Sequence, residues 1–279
     1  MDENNEEFER EVSLLGSIRH PNIVQFFGVI ISGPKKFMVV EYLQKGSLDK
    51  LINNSRNGTE VVDLERKVHF LLDIANGMNY LHNLKPNPVI HRDLKPGNIL
   101  LCGTDRNKYT AKICDFGLSK TLSNSRTNSA TTNIGTLFYM SNEMISGDTN
   151  YNHKVDIYSF AIIMWELFFE ENPYMNSNST KLYKFVKNQK EEHDALGIKL
   201  LFKVMHGLRP VIPFNTNEEL QQWVSEFVKP RNPKLSHESL CRLTSQYINL
   251  MRECGNSNYY ERPEFSDICN RLTEMTAID

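Results

Sequence analysis

Apolar residues at Phe8, Val12, Leu15 and Ile18 recur at spacings of three and four, which predicts a helix over residues 6–19 with one apolar stripe and a polar back. Ile23 to Ile31 and Lys36 to Glu41 read as two strands joined by a turn that contains Gly33-Pro34. From Leu64 to His82 the apolar positions fall at 64, 68, 71, 72, 75, 78 and 81, the pattern of one long buried helix. The asparagine-rich stretches 53–58 and 123–133 have no core-forming pattern and read as mobile loops.

With 279 residues, 40% of them hydrophobic, the chain can bury a sizeable core as one large domain or two lobes. Lys plus Arg total 32 against 34 Asp plus Glu, a formal charge of −2, so no global field recruits nucleic acid or an anionic membrane. Neither is an expected partner. The five cysteines, at 102, 114, 241, 254 and 269, are odd in number and lack CxxC spacing, which argues for reduced thiols and against zinc. The acidic start MDENNEEFER is unlike a signal peptide, and no apolar run approaches bilayer length. A cytoplasmic location is therefore expected.

The stretch HRDLKPGNIL at 91–100, followed by ICDFG at 113–117, concentrates carboxylates, an amide and a lysine in two short motifs. Such groups suffice for phosphoryl transfer, which needs mostly placement and charge neutralisation. Together the motifs resemble the catalytic centre of a protein kinase. The resemblance implies that Asp93 accepts the proton of a substrate hydroxyl, that Lys95 places its ammonium on the transferring phosphate of ATP, and that Asn98 and Asp115 hold Mg²⁺.

The likeness covers nearly the whole chain. EFEREVSLLGSIRHPNIVQFFGV at 7–29 resembles the family's upper-lobe helix and the strand after it, with Glu11 where that helix carries the glutamate that pairs a strand lysine. No GxGxxG and no VAIK-type lysine precede it in these residues. KFMVVEYLQKGSLDKLI at 36–52 resembles the strand, hinge and helix that follow. Val40 then falls at the back of the adenine pocket, Glu41, Tyr42 and Leu43 form the hinge, and Leu100 closes under the adenine ring. GTLFYMSNE at 135–143 resembles the substrate-facing segment, with Glu143 expected to pair with Arg262. KVDIYSFAIIMWEL at 154–167 resembles the central helix whose aspartate, here Asp156, holds the catalytic loop. Residues 176–208, ahead of GLRPVIP at 207–213, read as an inserted surface helix.

The fold this implies is α+β and bilobal: a partial upper lobe over residues 1–43 with two strands and an open edge, and a complete, mainly helical lower lobe over 44–279. Leu15, Phe26, His91 and Phe116 occupy the four positions of the hydrophobic stack that joins the lobes. Lys95 and Thr136 resemble serine/threonine kinases, and HPNIVQFFG, DIYSFAIIMWEL and GLRPVIP resemble the tyrosine-kinase-like group. Arg92, beside the base, implies control by a phosphate on the following loop, with Ser129, Thr131 and Thr132 as acceptors and an upstream activating kinase as a partner. Protein substrates with Ser or Thr acceptors are the other partner class. The residues leave two readings open, an ATP- and Mg²⁺-dependent protein kinase and a kinase-fold protein that binds or scaffolds.

Overall fold

The computed structural model describes residues 3–103, 109–116, 120–121, 136–148, 151–174 and 198–277. The chain opens with helix α1, Glu3–Ser17, which turns Leu15 into the core and leaves Phe8 and Val12 half-buried. Two antiparallel strands follow, β1 (Phe26–Ser32) and β2 (Lys35–Val40), with Ile30 opposite Phe37 and a register shift between Phe26 and Gly28. Among the described residues each of these strands pairs only with the other. Both begin or end within three residues of the bounds expected from the pattern.

A helical body forms the rest. Helix α2 (Leu48–Arg56) leads to α3 (Leu64–His82), which begins where the Asp63 side chain accepts a hydrogen bond from the Arg66 N–H and so satisfies one of the orphan donors of the first turn. The apolar stripe of α3, from Leu64 through Val68, Leu71, Ala75 and Met78 to Leu81, is buried along its length. Short strands β3 (Val89–Ile90), β4 (Ile99–Cys102), β5 (Thr110–Ile113) and β6 (Lys120–Thr121) pair as β3 with β6 and β4 with β5. After the short helix α4 (Asn142–Ile145) comes α5 (Lys154–Phe169), on which every residue is buried. Helices α6 (Ile198–Met205), α7 (Asn217–Trp223), α8 (His237–Cys254) and α9 (Phe265–Thr276) complete the described chain.

Two expectations change on meeting the structure. Residues 53–56 are not loop but the last turn of α2, because Ser55 is buried and donates to Glu170 at 2.8 Å while Arg56 donates to the Glu170 carbonyl at 2.7 Å. A contact 115 residues away in sequence thus orders a segment that has no pattern of its own. Of the insertion expected over 176–208, residues 176–197 lie outside the described residues. Its end is α6, which packs inward: Leu200 and Val204 are buried with Tyr158, Ile162 and Tyr174.

The ribbon is tied to the body at three places. Val24 N–H donates to Ile113 O at 2.9 Å and Ile113 N–H to Asn22 O at 2.9 Å. Gly77 on α3 lets this junction form, since a Cβ there would stand 2.9 Å from Asn22 O and 2.8 Å from the Ile113 side chain. Glu41, just past β2, makes the second tie, its Oε1 accepting from Lys112 Nζ of β5 at 2.6 Å. The third is the interlobe stack, in which Leu15, Phe26, His91 and Phe116 are all buried and the His91 and Phe116 rings lie 5.2 Å apart.

Candidate active site

The site is built on the loop between β3 and β4 and on the residues just after β5. Asp156, at the start of α5 and wholly buried, accepts the N–H of His91 at 2.9 Å and that of Arg92 at 2.8 Å. These bonds hold Arg92 at a φ of +65°, a left-handed conformation that a non-glycine residue adopts only when its surroundings fix it. Burial pushes the Asp156 carboxyl up, but the hydrogen bond and charge of His82, with His91 and the Arg92 N–H, outweigh it and hold the pKa below the ordinary carboxylate range. His82 Nε2 lies 2.8 Å from Asp156 Oδ2.

So positioned, the loop presents Asp93, which is buried. Its Oδ2 accepts from Lys95 Nζ at 2.7 Å and from Asn98 Nδ2 at 2.9 Å. Its Oδ1 is buried and has no hydrogen-bond partner among the described residues. Asn98 Nδ2 also donates to the Asp93 carbonyl at 2.9 Å, which fixes the amide so that Oδ1 is left as an acceptor. The Cys114 N–H donates to Asn98 O at 2.9 Å and His91 Nε2 lies 3.1 Å from Cys114 O, so the two motifs are bonded to each other through Cys114. Burial, reinforced by the Asp115 carboxylate, pushes the Cys114 thiol up to about 12 and keeps it protonated.

Asp115 follows, exposed and with φ +64°. Phe116, next in line, is buried beneath it. Glu11 of α1 comes to the same place: burial raises its pKa, the Asp115 carboxylate raises it further, and the Phe116 N–H opposes both. Two carboxylates therefore converge there, and among the described residues no lysine or arginine pairs with Glu11. An arrangement of one amide oxygen and an exposed carboxylate suits a hard divalent cation with oxygen ligands, such as Mg²⁺, and such a charge would relieve the Glu11–Asp115 repulsion.

A model of the protein kinase domain matches residues 1–272. The chain belongs to the protein kinase family. The serine/threonine-protein kinase CTR1 of Arabidopsis thaliana is 42% identical to it over 176 residues, 63% of this chain and 20% of that protein. The probable serine/threonine-protein kinase SIS8 of the same plant is 39% identical over 173 residues, 62% of this chain and 16% of its own length. The probable serine/threonine-protein kinase drkC of Dictyostelium discoideum is 31% identical over 270 residues, 96% of this chain and 29% of that protein. The kinase domain thus spans less than a third of each of these relatives.

The other predicted site residues of the kinase domain fall as follows. Val40 is 42% exposed and Tyr42 86% exposed, whereas Leu43 is buried and Leu100 half-buried. The Glu41 side chain is held by Lys112 Nζ at 2.6 Å, and the hinge leads on through the Lys45 N–H, which donates to Leu101 O at 3.2 Å. Arg92 reaches Tyr151 Oη at 3.0 Å. Ser129, Thr131 and Thr132 lie outside the described residues. Glu143 and Arg262 form the expected pair, Nη1 to Oε1 at 2.5 Å and Nη2 to Oε2 at 3.0 Å, with Arg262 also donating to Asn256 O and Lys154 O.

Sequence reasoning missed His82, which closes α3 and completes the cradle of Asp156 from 74 residues away. It also missed Lys112, which steadies Glu41, and the bond from Tyr139 Oη to Glu166 Oε2 at 2.5 Å behind the substrate-facing segment. None has a local signal. Only the helical phase of His82, on the same face as Met78, hinted that it points inward. Among the described residues no helix is long and apolar enough to cross a membrane.

Proposed function

We propose that this kinase domain, once a strand lysine is supplied to Glu11, transfers the γ-phosphate of ATP to Ser or Thr hydroxyls of protein substrates, as a serine/threonine kinase of the tyrosine-kinase-like group working in the cytoplasm. The observation that carries this reading is Asp93 Oδ1, a buried carboxylate oxygen without a donor among the described residues, while Oδ2 is neutralised by Lys95. Burying an acceptor unsatisfied costs free energy that a substrate hydroxyl donating to it would recover. In this reading Asp93 orients that hydroxyl and takes its proton, and Lys95 balances charge on the transferring group. Asn98 and Asp115 would hold Mg²⁺, and Mg²⁺·ATP bound there would supply the phosphoryl group. Leu43 and Leu100 would flank the adenine, with Val40 behind it and the Glu41 to Leu43 backbone hydrogen-bonding its edge. Arg92 is assigned a regulatory role, answering phosphate on Ser129, Thr131 or Thr132 delivered by an upstream kinase.

A second reading, a kinase-fold binding or scaffold protein, draws on Glu11, which meets Asp115 and the Phe116 N–H rather than a cation among the described residues. One experiment separates the two. The chain, completed with a Gly-rich loop and a strand lysine ahead of Glu11, is incubated with labelled ATP, Mg²⁺ and a generic basic protein, and phosphoserine and phosphothreonine are counted. Asp93→Asn should lower the rate about 10³-fold, within the range of a lost general base. Phosphotransfer that survives this change sinks the assignment of Asp93, and a completed chain that keeps Asp93 but shows no transfer favours the scaffold. For the 279-residue chain alone we expect a thermal shift near zero on adding Mg²⁺·ATP, whereas clear stabilisation would mean that it binds nucleotide without a lysine on Glu11.

A further inference from the structure

Far from the catalytic loop, the start of α3, the end of α5 and the segment after α7 line a partly open pocket of about 130 Å³. Three features mark it as more than a packing gap. Val224–Val228, which supplies part of its wall, is a π-helical turn, a form that is rare and concentrates at functional sites. Glu170, on its floor, sits at φ +58° as the cap of α5, in the left-handed region for a non-glycine residue. The same Glu170 is buried, and its Oε1 accepts from Lys67 Nζ at 2.8 Å, from Ser55 Oγ at 2.8 Å and from Arg231 Nη1. Burial pushes this carboxyl up, but Lys67 and Arg231 hold it at about 2, so it stays ionised.

The walls select the ligand. Phe168, Phe169, Trp223 and Phe227 line one side of the space, with the Phe169 and Trp223 rings 5.5 Å apart and the Trp223 and Phe227 rings 4.4 Å apart, while Lys67, Glu170, Glu226 and Arg231 give it a charged side on which the two cations offset the two carboxylates. An apolar cavity of roughly 150 Å³ admits a benzene ring, so one six-membered ring is the size that fits here. Aromatic walls favour an aromatic ring among flat apolar groups. At the mouth stands Arg231, whose side chain is 26% exposed and whose one hydrogen bond among the described residues leaves through Nη1, so Nε and Nη2 remain available. Guanidinium edges take carboxylates in two parallel hydrogen bonds.

We infer that this pocket is a binding site for a small planar aromatic acid, its ring against Phe168, Phe169, Trp223 and Phe227 and its carboxylate on Arg231. The site lies at the opposite end of α5 from Asp156, so an occupant would bear on the helix that positions the catalytic loop.

The test uses benzoate as the probe, with benzamide as its uncharged counterpart of the same shape, on the full 279-residue chain carrying ¹³C-labelled Val and Leu methyl groups. Benzoate should shift the methyls of Val62, Leu64 and Val228 saturably, with a Kd in roughly the millimolar range for so few atoms, and leave Val12 and Val29 unmoved. Benzamide should bind about tenfold more weakly, since it forfeits the charge-assisted bonds. Arg231→Gln should bring benzoate down to the level of benzamide. The assignment is overturned if those three methyls do not move, or if the two probes bind the wild-type protein equally. Both comparisons are made on the wild-type chain and so decide the matter even where the variant does not fold.

Discussion

The ribbon of β1 and β2 and the helical body below it are built to different standards. In the ribbon, Ile30, Ile31 and Phe37 face solvent, and the ion pair to α1, Lys36 to Glu9 at 3.5 Å, has one partner 66% exposed. In the body the pair of Arg262 and Glu143 is almost wholly removed from water, and α5 has no exposed residue. A two-stranded ribbon is marginal on its own, and strand edges without partners invite association. The difference teaches that the proposed chemistry is anchored to the body, where Asp156 of α5 fixes Arg92 and Asn98 is bonded to Asp93 and Cys114, while Glu11 and the hinge segment 40–43 come from the other side.

Breaking the body should cost most. Arg262→Leu strands Glu143 in a buried position and removes five hydrogen bonds. Urea denaturation should show a loss of about 3–5 kcal/mol. A loss below about 1 kcal/mol would mean that the body tolerates an unpaired buried carboxylate and that the contrast with the ribbon is not one of burial.

Next comes Glu166, whose carboxyl burial raises to about 7 against the opposing Tyr139 hydrogen bond. A carboxyl with a raised folded pKa holds its proton after the unfolded chain, at about 4.5, has released it. Its contribution is therefore complete below pH 4.5 and is lost as pH rises to about 7. Glu166→Gln removes that loss, so above pH 7 the variant should exceed the wild type by roughly 3 kcal/mol, with the two converging in acid. Parallel pH profiles from thermal denaturation would refute the shift.

The seam between the regions is sharpened by Gly77→Ala. Alanine gains up to about 1 kcal/mol of helix propensity, yet its methyl meets Asn22 O at 2.9 Å, and overpacking costs about 1–3 kcal/mol. We expect a net loss near 1 kcal/mol, read as faster amide exchange at Val24 and Ile113. Unchanged exchange at both would show that the ribbon is not held by that junction. The smallest effect belongs to the ribbon itself, where Lys36→Ala should change stability by less than about 0.5 kcal/mol in the same denaturation series. A larger drop would place real stabilising weight on the exposed pair.

How much of this was legible depends on how local each signal is. The bounds of α3 were read without error because a stripe of apolar residues at helical spacing fills the whole interval from Leu64 to His82. The proposed site residues Asp93, Asn98 and Asp115 stand close together in sequence, within two short motifs at 91–100 and 113–117. The pair of Glu143 and Arg262 was reachable only through family likeness, being 119 residues apart. Nothing announced Glu170, whose partners Lys67 and Arg231 lie 103 and 61 residues away, nor the fate of Asn53 and Asn54, which follow Ser55 into a helix. Composition describes a residue's own preference, and at these positions the partner decides.

A helix without an outside, as α5 is, has a consequence for how this protein comes to be made. Sixteen residues, including Trp165 and three phenylalanines, have no polar stripe to turn toward water while their neighbours are still being synthesised. α8 and α9, which finish its enclosure, emerge from the ribosome only after it. Until they arrive, this apolar segment of the nascent chain stays uncovered. It is where a chaperone would hold the protein, and where crowding two growing chains would join them.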